Sequence, residues 1–120
     1  MKNNFILISG RPDTGKTELI LLYCNQYPET TLLISEEYSE ENIRKRGLNK
    51  KATVIGQDRF NEMNLSKYKT ICIDYVELFD KEILQSIIQK SLNMGIIIIA
   101  VTMMRRDFKV NNIFQSIITL

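Results

Sequence analysis

The chain has 120 residues, 44% of them hydrophobic, and a formal net charge of +2. That length suits one domain with a small but real core, and so weak a charge neither demands nor excludes nucleic acid. No histidine is present, which excludes histidine acid–base catalysis and histidine metal ligation. Cys24 and Cys72 stand far apart in apolar segments with no CxxC between them, so buried, reduced thiols are expected rather than a structural zinc site. No signal-peptide pattern opens the sequence, and the apolar run at 96–101 is too short to cross a bilayer. The expectation is a soluble, cytoplasmic protein with no membrane partner.

FILIS, residues 5–9, is a short apolar run of the kind that forms a buried strand. GRPDTGKT, residues 10–17, follows it and fits G-x-x-x-x-G-K-[ST] at every fixed position. Each fixed residue has its own task at a nucleotide polyphosphate. Gly10 and Gly15 let the backbone wrap closely, so that the N–H groups of Arg11, Pro12's neighbours Asp13 and Thr14, and the turn as a whole face phosphate oxygens. Lys16 reaches the β- and γ-phosphates, and the Thr17 hydroxyl ligates Mg²⁺. Residues 10–18, from Gly10 through Arg11, Pro12, Asp13, Thr14, Gly15, Lys16 and Thr17 to Glu18, form the candidate nucleotide-binding segment. The helix they open turns its positive end toward the anion.

TELILLYCNQY is strong helix material, with Leu19, Ile20, Leu22 and Tyr23 spaced for one buried face and Pro28 closing it. TLLIS, residues 31–35, reads as the second strand. SEENIRKRG then gives a short helix capped by Ser39. Its acids stand at the positive end, Arg44, Lys45 and Arg46 at the negative end, and Gly47 stops it. That basic cluster is better explained by dipole matching on a solvated face than by DNA contact.

ATVIG, residues 52–56, reads as a short strand, and FNEMNLSKYK holds one helical turn at most. TICID, residues 70–74, is an apolar strand ending in a carboxylate. Ile83, Leu84, Ile87, Ile88 and Leu92 mark an amphipathic helix over 80–94, ended by Gly95. IIIIAV, residues 96–101, suits a central parallel strand covered on both faces. Residues 103–112 read as a charged loop, and IFQSIITL as a last strand. Strand and helix alternate without repeat or linker, which predicts a single α/β domain over 1–120 with three layers and a mostly parallel central sheet.

In open α/β sheets ligands sit beyond the carboxyl ends of the strands. The polar residues that end these strands are Ser35-Glu36-Glu37, Asp74 and Thr102. Asp74 after T-I-C-I fits a Mg²⁺ ligand, direct or through water, opposite Thr17. Tyr75 follows it where a glutamate often stands. The water-orienting carboxylate is therefore sought at Glu36 and Glu37, with Glu77 three residues beyond Asp74 less well placed. Adjacent residues in extended chain point apart. One of the pair should face the γ-phosphate, and the other should cap the 39–47 helix or face solvent.

TLLISEEYSEENIRKR resembles the second-strand segment of RecA-like P-loop ATPases, the group of the DnaB-type helicases, RadA and KaiC. ICIDYVEL is similar to the helicase segment I-D-Y-L-Q-L, and AVTMMRR stands where that family ends a strand in Ser or Thr followed by Gln. The resemblance covers nearly the whole chain. It implies a three-layer P-loop NTPase fold of RecA-like type, ATP or another NTP with Mg²⁺, and Glu37 as catalytic glutamate, with Glu36 beside it as in KaiC. It implies Thr102 as the γ-phosphate sensor. Met103 departs from the pattern, since it cannot hydrogen-bond phosphate as the family's glutamine does. The family continues past this point with further strands, DNA-binding loops and a trans-acting arginine. Arg105 and Arg106 are the basic pair here for a neighbour's site or a polyanion, or they are solvated.

Two functions follow. One is a minimal Mg²⁺-dependent ATPase of DNA replication, recombination or repair, phage- or mobile-element-encoded, with DNA and other copies of itself as the implied partners. The other is a nucleotide-dependent binding module that docks on a partner ATPase or helicase and hydrolyses little. A small-molecule kinase needs an arginine-rich lid and a GTPase needs N-K-x-D; the sequence offers neither.

Overall fold

The computed structural model describes residues 5–9, 15–102 and, as backbone alone, 116–119. The strands are β1 (Phe5–Ser9), β2 (Thr31–Ser35), β3 (Thr53–Ile55), β4 (Thr70–Asp74), β5 (Ile97–Thr102) and β6 (Ser116–Thr119). The helices are α1 (Lys16–Gln26), α2 (Glu40–Lys45) and α3 (Lys81–Met94), with short 3₁₀ turns at Gln57–Glu62 and Val76–Leu78. The strands form one sheet in the order β3-β2-β4-β5-β1-β6, and all neighbouring strands run parallel. The fold is α/β with helices on both faces.

Alternation along the strands sorts the core into two layers. Ile71 and Ile73 of β4, with Ile98 and Ala100 of β5, pack under Leu84, Ile87 and Ile88 of α3 and Phe60 of the first 3₁₀ turn. Cys72, Ile99 and Val101 pack on the other face, under Ile20, Leu21 and Cys24 of α1 and Ile43 of α2. Both cysteines are free and fully buried. The Cys72 thiol hydrogen-bonds Cys24, and that contact together with burial pushes its pKa well up. The connections that run leftward along the sheet, through α1 and α2, lie on one face, and those that return lie on the other. A single hand of crossover requires this division.

The helix stops follow the sequence reading closely. Ser39 accepts from the Asn42 N–H at 3.2 Å and caps α2, and Gly95 ends α3 in left-handed backbone at φ 70°. The face of α1 differs from expectation. Ile20, Leu21 and Cys24 meet the sheet, whereas Leu22 is 66% exposed and Leu19 is also solvated. The expected face had been centred about one residue off. The 17, 20/21, 24 stripe lies over the strands, and Leu19, Leu22 and Tyr23 line an apolar groove of about 350 Å³ beside β1 instead. Leu92 is likewise exposed, because the buried stripe of α3 runs 84, 87/88, 91 and Ser91, not Leu92, faces inward in the last turn.

The basic stretch after Ser39 is neutralised within the fold. Arg44 bonds Glu40 and the carbonyls of Asn49 and Ala52, Lys45 pairs with Glu41 and Lys51 with Glu29.

Candidate functional site at the carboxyl edge

Parallel pairing brings the strand tips to one edge. Ser35 is in register with Asp74, and Ser9 with Thr102. Because β5 lies between β4 and β1, the tips run Ser35, Asp74, Thr102, Ser9 along that edge. The chain leaves β2 for the α1/α2 face and leaves β4 for the α3 face. Where neighbouring strands send their connections to opposite faces, a crevice opens between the tips.

The first turn of α1 reaches this edge at the tip of β4, where the Thr17 side chain meets Asp74. Gly15 stands before it at φ 85°, left-handed backbone that a side chain would strain. Lys16 and Thr17 make the first turn and are both buried, at 2% and 4% exposure. The Lys16 Nζ lies 5.9 Å from the centre of the Tyr75 ring. Gly10, Arg11, Pro12, Asp13 and Thr14 lie outside the described residues, as do Met103, Arg105 and Arg106.

Asp74 shares the α1 side of β4 with Cys72. It is 1% exposed, and neither carboxyl oxygen meets a donor at full hydrogen-bond geometry. The Thr17 side chain is close enough to favour the charged form, but burial, then the charge of Glu37, raise the Asp74 pKa from 3.8 to about 7. A buried carboxylate with open lone pairs beside a threonine hydroxyl is a donor set that suits a hard, oxygen-seeking cation. Thr17 and Asp74 are the described residues that could hold such a cation.

The two glutamates divide, although they lie in the bend after β2 rather than in extended chain. The Glu36 carboxylate turns to the β3 side and accepts from the Gln57 N–H at 2.7 Å, capping the first 3₁₀ turn rather than α2. Glu37 stays at the crevice. Burial raises its pKa, while Arg46 and Lys16 act on it in the opposite sense. Thr102 donates to Glu77 at 2.5 Å, so the residue expected to sense phosphate is engaged by an acid from the turn after β4. The sequence places Glu77 in a loop, as a less well placed candidate than Glu36 and Glu37; it lies in the short 3₁₀ turn after β4.

Tyr75 and Arg46 are the site residues that the sequence did not single out. Tyr75 is the one described non-glycine residue at positive φ, 58°. Such backbone concentrates at functional sites, and it sets the ring against Lys16. Burial, then Glu37, raise the Tyr75 pKa, and Thr17 lowers it. Arg46 pairs with Glu18 at 2.5 Å and stacks on Tyr38 at 4.5 Å from the ring centre. A non-glycine residue directly after the strand-ending Asp was the available signal for Tyr75. For Arg46 there was none, since its partners lie 28 and 8 residues away.

Comparison with protein-family models and with curated proteins gives no match. The site is therefore read from its own geometry and chemistry.

Proposed function

We propose that the chain binds a nucleoside triphosphate, ATP in the first instance, as its Mg²⁺ complex and hydrolyses it in the manner of a RecA-like ATPase. The observation that carries this reading is Asp74, buried at a strand tip beside Thr17 with neither oxygen fully bonded. Lys16 and the N–H groups of the first turn of α1 take phosphate charge. Thr17 and Asp74 would hold Mg²⁺, which supplies charge neutralisation on the phosphates. Glu37 accepts a hydrogen bond from water and orients it toward the γ-phosphorus; attack breaks the bond to the β-phosphate oxygen and leaves ADP and phosphate. The placement of β5 between β1 and β4, and of a glutamate pair just past the end of β2, the strand beyond β4, supports the RecA-like form. A role in DNA replication, recombination or repair rests on the sequence resemblance alone.

The open groove along Ile6, Leu19, Leu22 and Tyr23 favours a second reading, a nucleotide-dependent module that docks on another protein. One set of measurements decides. ATP affinity and turnover are measured for the native chain, Lys16→Ala and Glu37→Gln, with and without single-stranded DNA. Lys16→Ala should weaken ATP binding by at least about tenfold, and Glu37→Gln should keep binding and slow hydrolysis. Unchanged hydrolysis in Glu37→Gln removes Glu37 from the chemistry. Tight binding with no turnover in the native chain favours the docking module.

A further inference from the structure

Arg46 joins two arms of the site that are separate in sequence. Glu18, its ion-pair partner, directly follows Lys16 and Thr17. Tyr38, the ring beneath its guanidinium, directly follows Glu37. The pair is open to solvent, with side-chain exposures of 37% for Arg46 and 61% for Glu18, and exposed pairs contribute little. Arg44, two residues earlier, is a useful contrast. It is fixed by Glu40 and by the carbonyls of Asn49 and Ala52, whereas Arg46 meets one carboxylate and one ring.

We propose that Arg46 is a phosphate-binding cation held in reserve. When a triphosphate occupies the crevice, its guanidinium leaves Glu18 and bonds the terminal phosphate. This inference rests on the nucleotide reading above. Among the described residues, the acids Glu18, Glu37 and Asp74 stand around the crevice with the cations Lys16 and Arg46, so a guanidinium released to the triphosphate offsets repulsion from those acids. The planar guanidinium can keep its stack on Tyr38 while its N–H groups change acceptor, because stacking and in-plane hydrogen bonding use different faces of the group. Phosphate is also the better acceptor, taking two parallel N–H bonds from one arginine.

The test is displacement of a fluorescent ATP analogue by unlabelled ATP or ADP with Mg²⁺. It uses the native chain, Lys16→Ala, Arg46→Ala, Arg46→Lys, Glu18→Gln and the double variant Glu18→Gln/Arg46→Ala, each checked for folding by circular dichroism. Arg46→Ala should weaken ATP on the order of tenfold while ADP changes by less than about twofold. Arg46→Lys should lie between, since it keeps the charge and loses the fork; it carries the test if the alanine variant does not fold. Glu18→Gln releases the guanidinium and should tighten ATP severalfold, and that gain should vanish in the double variant. A bridge that only braces the fold would make Glu18→Gln and Arg46→Ala change affinity in the same direction, which overturns the proposal. So does a Glu18→Gln gain that survives without Arg46, since through-space repulsion then explains it. If Lys16→Ala loses both nucleotides while Arg46→Ala and Arg46→Lys lose neither, only the Arg46 inference fails. A folded native chain that binds neither nucleotide overturns both readings.

Discussion

Asp74 holds its proton more tightly in the folded chain than in the unfolded one, because burial and Glu37 raise its pKa from 3.8 to about 7. Between those values the folded state binds more protons at this site, so Asp74's own contribution to stability is fully present below about pH 4 and is lost as pH rises through about 7. The rise, already net of the lowering by Arg46, corresponds to at most about 4 kcal/mol. Asp74→Asn should therefore flatten the melting temperature between about pH 4 and pH 8 and raise it at the upper end. It should also remove any melting shift given by Mg²⁺ and ATP. A variant as pH-sensitive as the native chain would refute this account of Asp74. Tyr75 carries strain of a different kind. At φ 58° a non-glycine residue costs on the order of 1 kcal/mol. Tyr75→Asn, which tolerates that backbone, should recover part of this but lose the ring against Lys16. Its mark would be a weaker nucleotide affinity out of proportion to any change in denaturation midpoint.

At the scale of elements, the helix ends give the cleanest expectations. Gly95→Ala meets no atom within 4 Å but must hold φ 70°, so urea titration should show a loss of about 1 kcal/mol from backbone strain alone. Ser39→Ala should cost about the same through loss of the bond from Asn42 N–H. Ile87→Ala in α3, fully buried against the sheet, should cost about 2–5 kcal/mol, whereas Leu22→Lys in α1 should leave the midpoint within about 0.5 kcal/mol. That last contrast also marks what the sequence could carry. TICID is β4 to the residue, because an apolar run with a terminal acid has few other places to go. The α3 stripe also stands, apart from Leu92. The face of α1 was not legible, since nearly every residue from Leu19 to Cys24 is apolar and periodicity cannot choose among them. Among candidate site residues, the meeting of Asp74 with Thr17 was legible because strand tips share an edge. The Thr102–Glu77 bond and the Arg46 bridge were not, because each depends on how a turn or a helix end is aimed.

Across the whole molecule, the sheet places chemistry at one edge and cohesion everywhere else. The strand order is built from distant segments, with β1 paired to β5 and β6, so the sheet closes only after most of the chain is in place. Cys24 and Cys72 record that closure from the inside, one on the helix that opens the crevice and one on the strand that ends in Asp74. An alkylating reagent added to the native protein should label neither of them until the chain opens, and both should then react together. The labelling rate, followed against reagent concentration, would thus clock spontaneous opening without any engineered probe. A comparison with and without ATP would show how firmly a ligand at the rim shuts the interior.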